Sequence, residues 1–395
     1  MSKISMSALD LIYLVSCALN DKTPERDRVA EMNLEEIYLF AQFHSLTACT
    51  AMVLENCGVQ NSSAFQKFKQ AKEKAIRKNI LLDNEREQIL AYMENQGIWY
   101  LPLKGIILKE LYPKLGMRQM SDNDILFDPA YKNKLSDFMK SRGYEMKAEH
   151  NDCHNGYLKP PVYNFEMHTL LFGASGDKKL IEYYSGINDK LLSDNGKRFA
   201  KCLSDDDFYI YITAHGYKHF ISSGTGLRTL VDCYIYWQKK GSSLNESYIN
   251  DELQKLGVSD YEQMCRDLSQ KLFSADDEFN IATLSEKECE SLDYIFSSGT
   301  YGTKEGYIKN KLSSIYSDGK SGFSAKLEYY LKRVFLPINQ VKVSFPFFYR
   351  YKIFLPFLWI YRILRGIFLK RENIKKEIKI LNSYIAQEKQ NDDGN

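Results

Sequence analysis

Apolar residues recur at three- and four-residue spacing over Ser7–Leu19, Leu34–Leu54 and Ser63–Asn95, which predicts three amphipathic helices at the start of the chain. Asn33 stands where an N-cap belongs, just before Leu34-Glu35-Glu36. After Gly97 the period shortens. Ile98–Leu103 is a β-like run that breaks at Gly105, and an apolar helical turn continues to Leu111. Beyond Pro113 and Gly116 a second β-like run carries Asp122 and Asp124. Pro129 opens a helix over Ala130–Ser141, Gly143 stops it, and Tyr144–Glu149 returns as a strand. His150–Tyr157 reads as a loop. It leads past Pro160-Pro161 to the strand Val162–Leu170, with Val162, Asn164, Glu166 and His168 on one face and Tyr163, Phe165 and Met167 on the other.

From Leu180 helix dominates. Asp205–Asp207 cap Phe208–Phe220, the turn Ser222–Gly226 precedes Leu227–Lys239, and further helices run through Gln254 and over Tyr261–Phe273 and Glu286–Phe296. Glycine-bearing stretches at Ser297–Gly306 and Gly319–Gly322 come before a basic, aromatic tail. The pattern divides the chain into an N-terminal helical region (1–96), a small α/β core (97–175), a helical domain (176–325) and a C-terminal helical segment (326–395). The fold class is α/β of the α+β kind, a small mixed sheet flanked by N-terminal and C-terminal helical regions.

Composition changes this picture in two places. The 44% apolar content of the 395 residues is ample for a core, and a net charge of +2 excludes a global field for nucleic acid. That balance hides 13 Lys/Arg against 3 Asp/Glu between Lys326 and Lys379, so the tail is strongly basic and the remainder acidic. Eight scattered cysteines without a CxxC pair suit reduced thiols in a cytoplasmic protein. The apolar run Leu11–Leu19 is interrupted upstream by Asp10, preceded only by Lys3, and too short to span a bilayer, so a buried helix is expected and no transmembrane segment.

The candidate chemistry starts at Asp122 and Asp124. Two residues apart on a strand share a face, about 6 to 7 Å apart at roughly 3.3 Å per residue. Like charges that close repel unless a cation sits between them, and a hard divalent ion such as Mg²⁺ prefers carboxylate oxygens. Glu166, on a polar strand face, is placed to be a third carboxylate. His215 and His219 stand at i and i+4, a zinc-capable spacing, but no HExxH or Cys partner accompanies them, so a packed or substrate-facing pair is the reading. Lys218 and Arg228 could reach a nucleotide. His150, Cys153 and His154 lack a fourth ligand and are read as loop. In the tail, Phe345, Phe347, Phe348, Tyr349, Phe354, Phe357, Trp359 and Phe368 interleave with Arg350, Lys352, Arg362 and Arg365. They are expected to pack on the helical domain, the other reading being an anionic membrane surface or nucleic acid met by residues 326–379.

The ordered set Lys104-Gly105, Tyr112, Arg118, Asp122-x-Asp124 and Glu166-x-His168 resembles the nucleotidyltransferases of the DNA polymerase beta superfamily. More closely it resembles the bacterial family of uncharacterised nucleotidyltransferases, whose later helices carry His residues like His215 and His219 and an Asp like Asp232. The resemblance runs from about the second helix to the tail. It implies transfer of a nucleoside monophosphate from a triphosphate to an acceptor hydroxyl, with release of pyrophosphate. Two ions, Mg²⁺ or Mn²⁺, would be held by Asp122, Asp124 and Glu166, with Glu166 helping to deprotonate the acceptor. Lys104, Gly105, Arg118 and Ser121 would contact the nucleotide, Arg118 otherwise bracing Asp122 or Asp124, and His168, His215, Lys218 and His219 would face substrate or support the ligands. Two positions depart from the pattern: Ile106 follows Gly105 where Ser or Gly is usual, and Asn123 stands where an apolar, inward residue is usual. The acceptor stays open among small molecules, sugars, protein side chains and RNA. The alternative is a non-catalytic nucleotide-binding or adaptor protein that keeps the fold.

Overall fold

The computed structural model describes residues 4–55, 57–147, 153–173, 176–194, 196–276, 278–317, 322–369 and 371–392. Local capping chemistry sets the first helices. In α1 (Met6–Leu19) the Ser5 hydroxyl accepts the Ala8 N–H, and after α2 (Arg26–Glu31) Asn33 Oδ1 accepts the Glu36 N–H to start α3 (Leu34–Phe43). The single helix expected over Leu34–Leu54 is broken, because Ser45 turns the chain at φ 56° and α4 runs Thr47–Leu54. The long α5 (Ser63–Asn95) has the predicted limits, with Ser62 Oγ accepting the Phe65 N–H.

The five-stranded sheet follows. Its elements in chain order are β1 (Tyr100–Pro102), the short α6 (Gly105–Leu108), β2 (Asn123–Phe127), α7 (Lys132–Ser141), β3 (Glu145–Met146), β4 (His154–Lys159) and β5 (Tyr163–His168). Strand order is β1-β2-β5-β4-β3; β2 and β5 are parallel and the other neighbours antiparallel. Strand β4 takes up the second half of the stretch read as loop, of which residues 150–152 lie outside the described residues. Ile125, Phe127, Phe165 and Met167 pack under Leu82, Ile89 and Met93 of α5 and Leu135 and Met139 of α7. Because successive strand side chains alternate, Asp124, Leu126, Glu166 and His168 point to the opposite face.

That second face meets the helical half of the molecule. α8 (Lys178–Ser185), a small β6 (Leu192–Ser193) and β7 (Lys201–Cys202) hairpin, α9 (Asp205–Ser222), α10 (Leu227–Lys240), α11 (Glu246–Leu256), α12 (Ser259–Phe273) and α13 (Glu286–Ser298) follow in order. Leu101, Leu103 and Leu126 join a core with Phe208, Ile210 and Tyr211 of α9 and Leu253 of α11. α10, α12 and α13 share another core with α1, α3, α4 and the start of α5. The result is the expected α+β fold, a small mixed sheet between helical flanks.

The remaining helices are α14 (Lys304–Ser317), α15 (Gly322–Val334), α16 (Ile338–Ser344), α17 (Pro346–Arg350), α18 (Leu355–Leu369) and α19 (Arg371–Asp392). They close a small core of their own from Ile308, Leu312, Ile315, Ala325, Tyr329 and Leu381. Tail aromatics expected to pack on the helical domain do not all do so: Phe347, Phe354, Phe357 and Phe368 are exposed. Among the described residues no helix is long and apolar enough to cross a membrane.

One buried histidine ties the N-terminal helices to α10. His44 Nδ1 accepts the Leu227 N–H at the start of α10 (3.1 Å), so its proton sits on Nε2. Burial pushes its pKa from 6.5 down to about 4. The folded protein holds the neutral ring, so this contribution is present above pH 6.5 and is lost as pH falls toward 4, about 3 kcal/mol in all. Urea midpoints should therefore fall less steeply over this window in His44→Gln, whose amide accepts but does not protonate.

Candidate active site

The site begins at the turn between β1 and α6. Ile106 N–H donates to Leu103 O (3.1 Å), and Lys104 between them has φ 48° and ψ −116°, the first central position of a type II′ turn that glycine usually takes. An ion pair holds it there: Lys104 Nζ donates to Asp124 Oδ1 at 2.8 Å. At Gly105 a Cβ would lie 2.5 Å from Arg118 Nη1 and 3.0 Å from Met120 Sδ, so glycine is what lets the guanidinium lie against the backbone.

The irregular segment 112–122 then carries the chain back to β2, pinned from three sides. Lys78 Nζ and Asn79 Nδ2 of α5 donate to the carbonyls of Ser121 and Arg118, and Gln119 Oε1 accepts the Thr47 hydroxyl and the Ala48 N–H of α4. The third side is α10. Arg118 Nε and Nη2 donate to Asp232 Oδ1 (2.7 Å) and Oδ2 (2.9 Å), and Tyr112 Oη donates to Oδ1 (2.7 Å). This two-pronged pair brings the Tyr, Arg and Asp of the motif order together. Arg118 therefore braces α10 rather than Asp122 or Asp124.

Strand register assembles the acidic wall. β2–β5 pairing sets Asp124 beside Glu166, and β4–β5 pairing sets His154 opposite His168. His168 Nε2 lies 2.9 Å from Asp124 Oδ1 and 3.6 Å from Glu166 Oε2; His154 Nε2 lies 3.6 Å from the same Glu166 oxygen. Asp122 stands just before β2, and Ser121 Oγ donates to its Oδ1 at 3.0 Å. Asn123 is buried, as its position implies, and its Oδ1 accepts from Arg86 Nη1 of α5 at 3.1 Å.

The three carboxyls differ in charge balance. Burial alone would raise Asp124, but Lys104 and then His168 overcome it and hold the carboxyl well below its usual range. Glu166 is likewise lowered, burial being outweighed by the His168 hydrogen bond and nearby cations. Asp122 goes the other way: burial, then the charges of Asp124 and Glu166, push it up to about 6. A bound ion is thus not the only charge that makes the pair tolerable. Lys104 offsets Asp124, and the unbalanced charge belongs to Asp122.

These groups line a cavity of about 480 Å³ between the sheet and α9 and α10. His215 and His219 of α9 face it with Nε2 atoms 3.3 Å apart. Burial, then neighbouring cations, push His219 down to about 4 and His215 well below its usual value, so both are neutral at pH 7. Lys218 between them is lowered by burial and then by Lys104, and among the described residues it forms no salt bridge. Arg228 of α10 donates to Gln119 O (3.3 Å) and lies 6.0 Å from the ring of the exposed Tyr301 at the cavity rim.

A family model described as an uncharacterised nucleotidyltransferase matches residues 30–274, well over half of the chain. The chain belongs to that family. The match takes in the sheet, the pinned segment and the helices α9 and α10 that close the cavity; α13 to α19 lie beyond it. No curated protein and no solved structure matches the chain. Membership in a nucleotidyltransferase family makes a transferase activity the frame within which the cavity is read.

Within that frame the structure brings together Lys104, Gly105, Arg118, Ser121, Asp122, Asp124, Glu166, His168, His215, Lys218 and His219 around one cavity. His154 was missed. Its ring nitrogen, a Glu166 oxygen and a His168 nitrogen all lie within 4.8 Å of one another, a donor set able to hold a metal ion. His154-Asn155-Gly156-Tyr157 has no alternation of apolar and polar residues, so nothing local marks it as a strand and only its ladder to β5 does. Tyr301 was missed because it sits in a Gly/Ser/Thr-rich loop.

Proposed function

We propose that the cavity binds a nucleoside triphosphate with a divalent ion and transfers its nucleoside monophosphate to an acceptor hydroxyl, releasing pyrophosphate. The observation that carries this reading is the convergence of Asp122, Asp124 and Glu166 on one cavity, where Lys104 pairs with Asp124 and the ring nitrogens of His154 and His168 each lie 3.6 Å from a Glu166 oxygen. Asp122, Asp124 and Glu166 would hold Mg²⁺ or Mn²⁺ there, and the mixed set His154, Glu166 and His168 suits a softer divalent ion. The bound ion would screen phosphate charge and stabilise the entering and leaving oxygens of an in-line displacement.

The chain's own groups do the rest. Glu166, more exposed than Asp124, takes the proton of the acceptor hydroxyl as its oxygen bonds to the α-phosphorus. The bond from that phosphorus to the pyrophosphate oxygen breaks, and Lys218 and Arg228 offset the charge of the triphosphate. Lys104 and Arg118 are already engaged by Asp124 and Asp232, so they set the carboxyls and the segment between Gly105 and Ser121, and meet phosphate only through their remaining N–H donors. His168 holds Asp124, and His215 and His219 line the acceptor side as neutral hydrogen-bonding groups.

Those same two engaged cations favour a second reading, triphosphate binding without transfer. Incubation with each α-³²P-labelled triphosphate and Mg²⁺ or Mn²⁺ separates the two. Transfer predicts pyrophosphate release and label moved to an acceptor, both absent in Asp124→Asn. Label that binds and exchanges without pyrophosphate supports the second reading, and failure of every triphosphate and ion to shift the melting temperature removes both.

A further inference from the structure

The tail carries an apolar surface that the described residues leave uncovered. Helix α18 is docked by one side only. Leu358 is fully buried, and Arg362 donates from Nε to Val334 O (3.1 Å) and from Nη2 to Arg333 O (2.9 Å), the free carbonyls at the end of α15. At 3.6 residues per turn, Phe357, Ile360, Tyr361, Leu364 and Phe368 fall on the other side in one stripe, and each of them is exposed, Phe368 by 75%. The stripe continues into the preceding turn. Phe354 lies 6.2 Å from Phe357 and stacks with Phe347 at 5.8 Å, and Phe347 meets Tyr351 at 5.2 Å, all four exposed.

Charge identifies what would cover it. Between residues 335 and 370 the sequence has six Lys/Arg and no Asp or Glu, and Lys342, Arg350, Lys352 and Arg365 are exposed. A second copy packed face to face would bring the same positive charges against one another. An anionic bilayer supplies what both features require: acyl chains for the aromatic and aliphatic stripe, and headgroup charge for the arginines and lysines around it. Tyr349, Tyr351, Tyr361 and Trp359 are of the types that favour that boundary layer. α18 has 15 residues and is too short to span, so it would lie in the interface plane.

We propose that α17, α18 and the turn joining them form a docking face for an anionic membrane surface, which holds the catalytic domain against the bilayer. The proposal is independent of the chemistry assigned to the cavity. The test is cosedimentation of the full chain with phosphatidylcholine vesicles, with and without roughly a third phosphatidylserine. Binding to the anionic vesicles alone is expected, weakened by high salt. It should fall at least about tenfold both in Phe357→Ser/Leu364→Ser/Phe368→Ser and in Arg350→Glu/Lys352→Glu/Arg365→Glu, because each removes one of the two contributions. These side chains are exposed, so melting temperatures should stay at the wild-type value and exclude unfolding as the cause. Equal retention by neutral and anionic vesicles overturns the proposal. So does a lipid-independent dimer, or RNA binding, that the substitutions abolish while neither vesicle type retains the wild-type chain.

Discussion

Asp122→Asn is expected to make the protein more stable and, in the same step, to abolish transfer. Partial burial, then the charges of Asp124 and Glu166, push the wild-type carboxyl from the usual 3.8 up to about 6 in the folded state. A raised carboxyl binds its proton more tightly folded than unfolded, so its favourable contribution is full below pH 3.8 and is lost as pH rises through 6. At pH 8 the ionised group works against folding by about 2 to 3 kcal/mol, and the amide removes that opposition. Urea or thermal unfolding should place the variant above wild type at pH 8 and level with it near about pH 4. Transfer should fall at least about a thousandfold, roughly 4 kcal/mol of lost transition-state stabilisation. Mg²⁺ or Mn²⁺ should stabilise wild type at pH 8 and narrow the gap. A variant less stable than wild type at pH 8 would show that the acidic wall carries no unbalanced charge.

The largest loss of stability is expected at the pair that pins the segment before β2. Asp232→Ala leaves the buried Arg118 guanidinium without its two-pronged partner and the Tyr112 hydroxyl without its acceptor. Breaking one side of a buried ion pair costs about 3 to 5 kcal/mol, more than the net worth of the pair, because the remaining charge stays buried. Arg118→Lys keeps the charge but loses the planar fork, and should cost less, about 1.5 to 3 kcal/mol. Arg118→Met combined with Asp232→Leu should recover most of the loss, since no charge is then stranded. Equilibrium urea unfolding of the two single variants and the double variant measures the coupling directly. The double variant should still show weakened transfer, because α10 carries Arg228 and the freed segment carries Ser121 and Asp122. Single variants within about 0.5 kcal/mol of wild type would mean that the pair does not hold the segment.

What could be read in advance follows the range over which each feature is determined. α5 and the cap at Asn33 depend on residues three or four apart and the two faces of β5 on residues two apart, and the structure shows them where the periodicity puts them. The Asp122-x-Asp124 spacing is equally local. β4 is different, because a segment bearing Asn155 and Gly156 becomes a strand only through its ladder to β5. That pairing brings His154 across from His168, which no local pattern states. The charge partners are also tertiary: Lys104 meets Asp124 across 20 residues and Arg118 meets Asp232 across 114. Composition marked the tail as aromatic and basic, yet the exposed side of α18 is decided by how Arg362 docks the helix on α15.

The most direct measurement counts bound Mn²⁺ by electron paramagnetic resonance in the presence of a nucleoside triphosphate. The proposed function predicts ion binding that rises with the triphosphate in wild type, is lost in Asp122→Asn and in Asp124→Asn, and survives His154→Ala in part. Binding unchanged by Asp122→Asn but abolished by His154→Ala would contradict it, because the ion would then belong to the two histidines and not to the carboxyls on which the transfer chemistry depends.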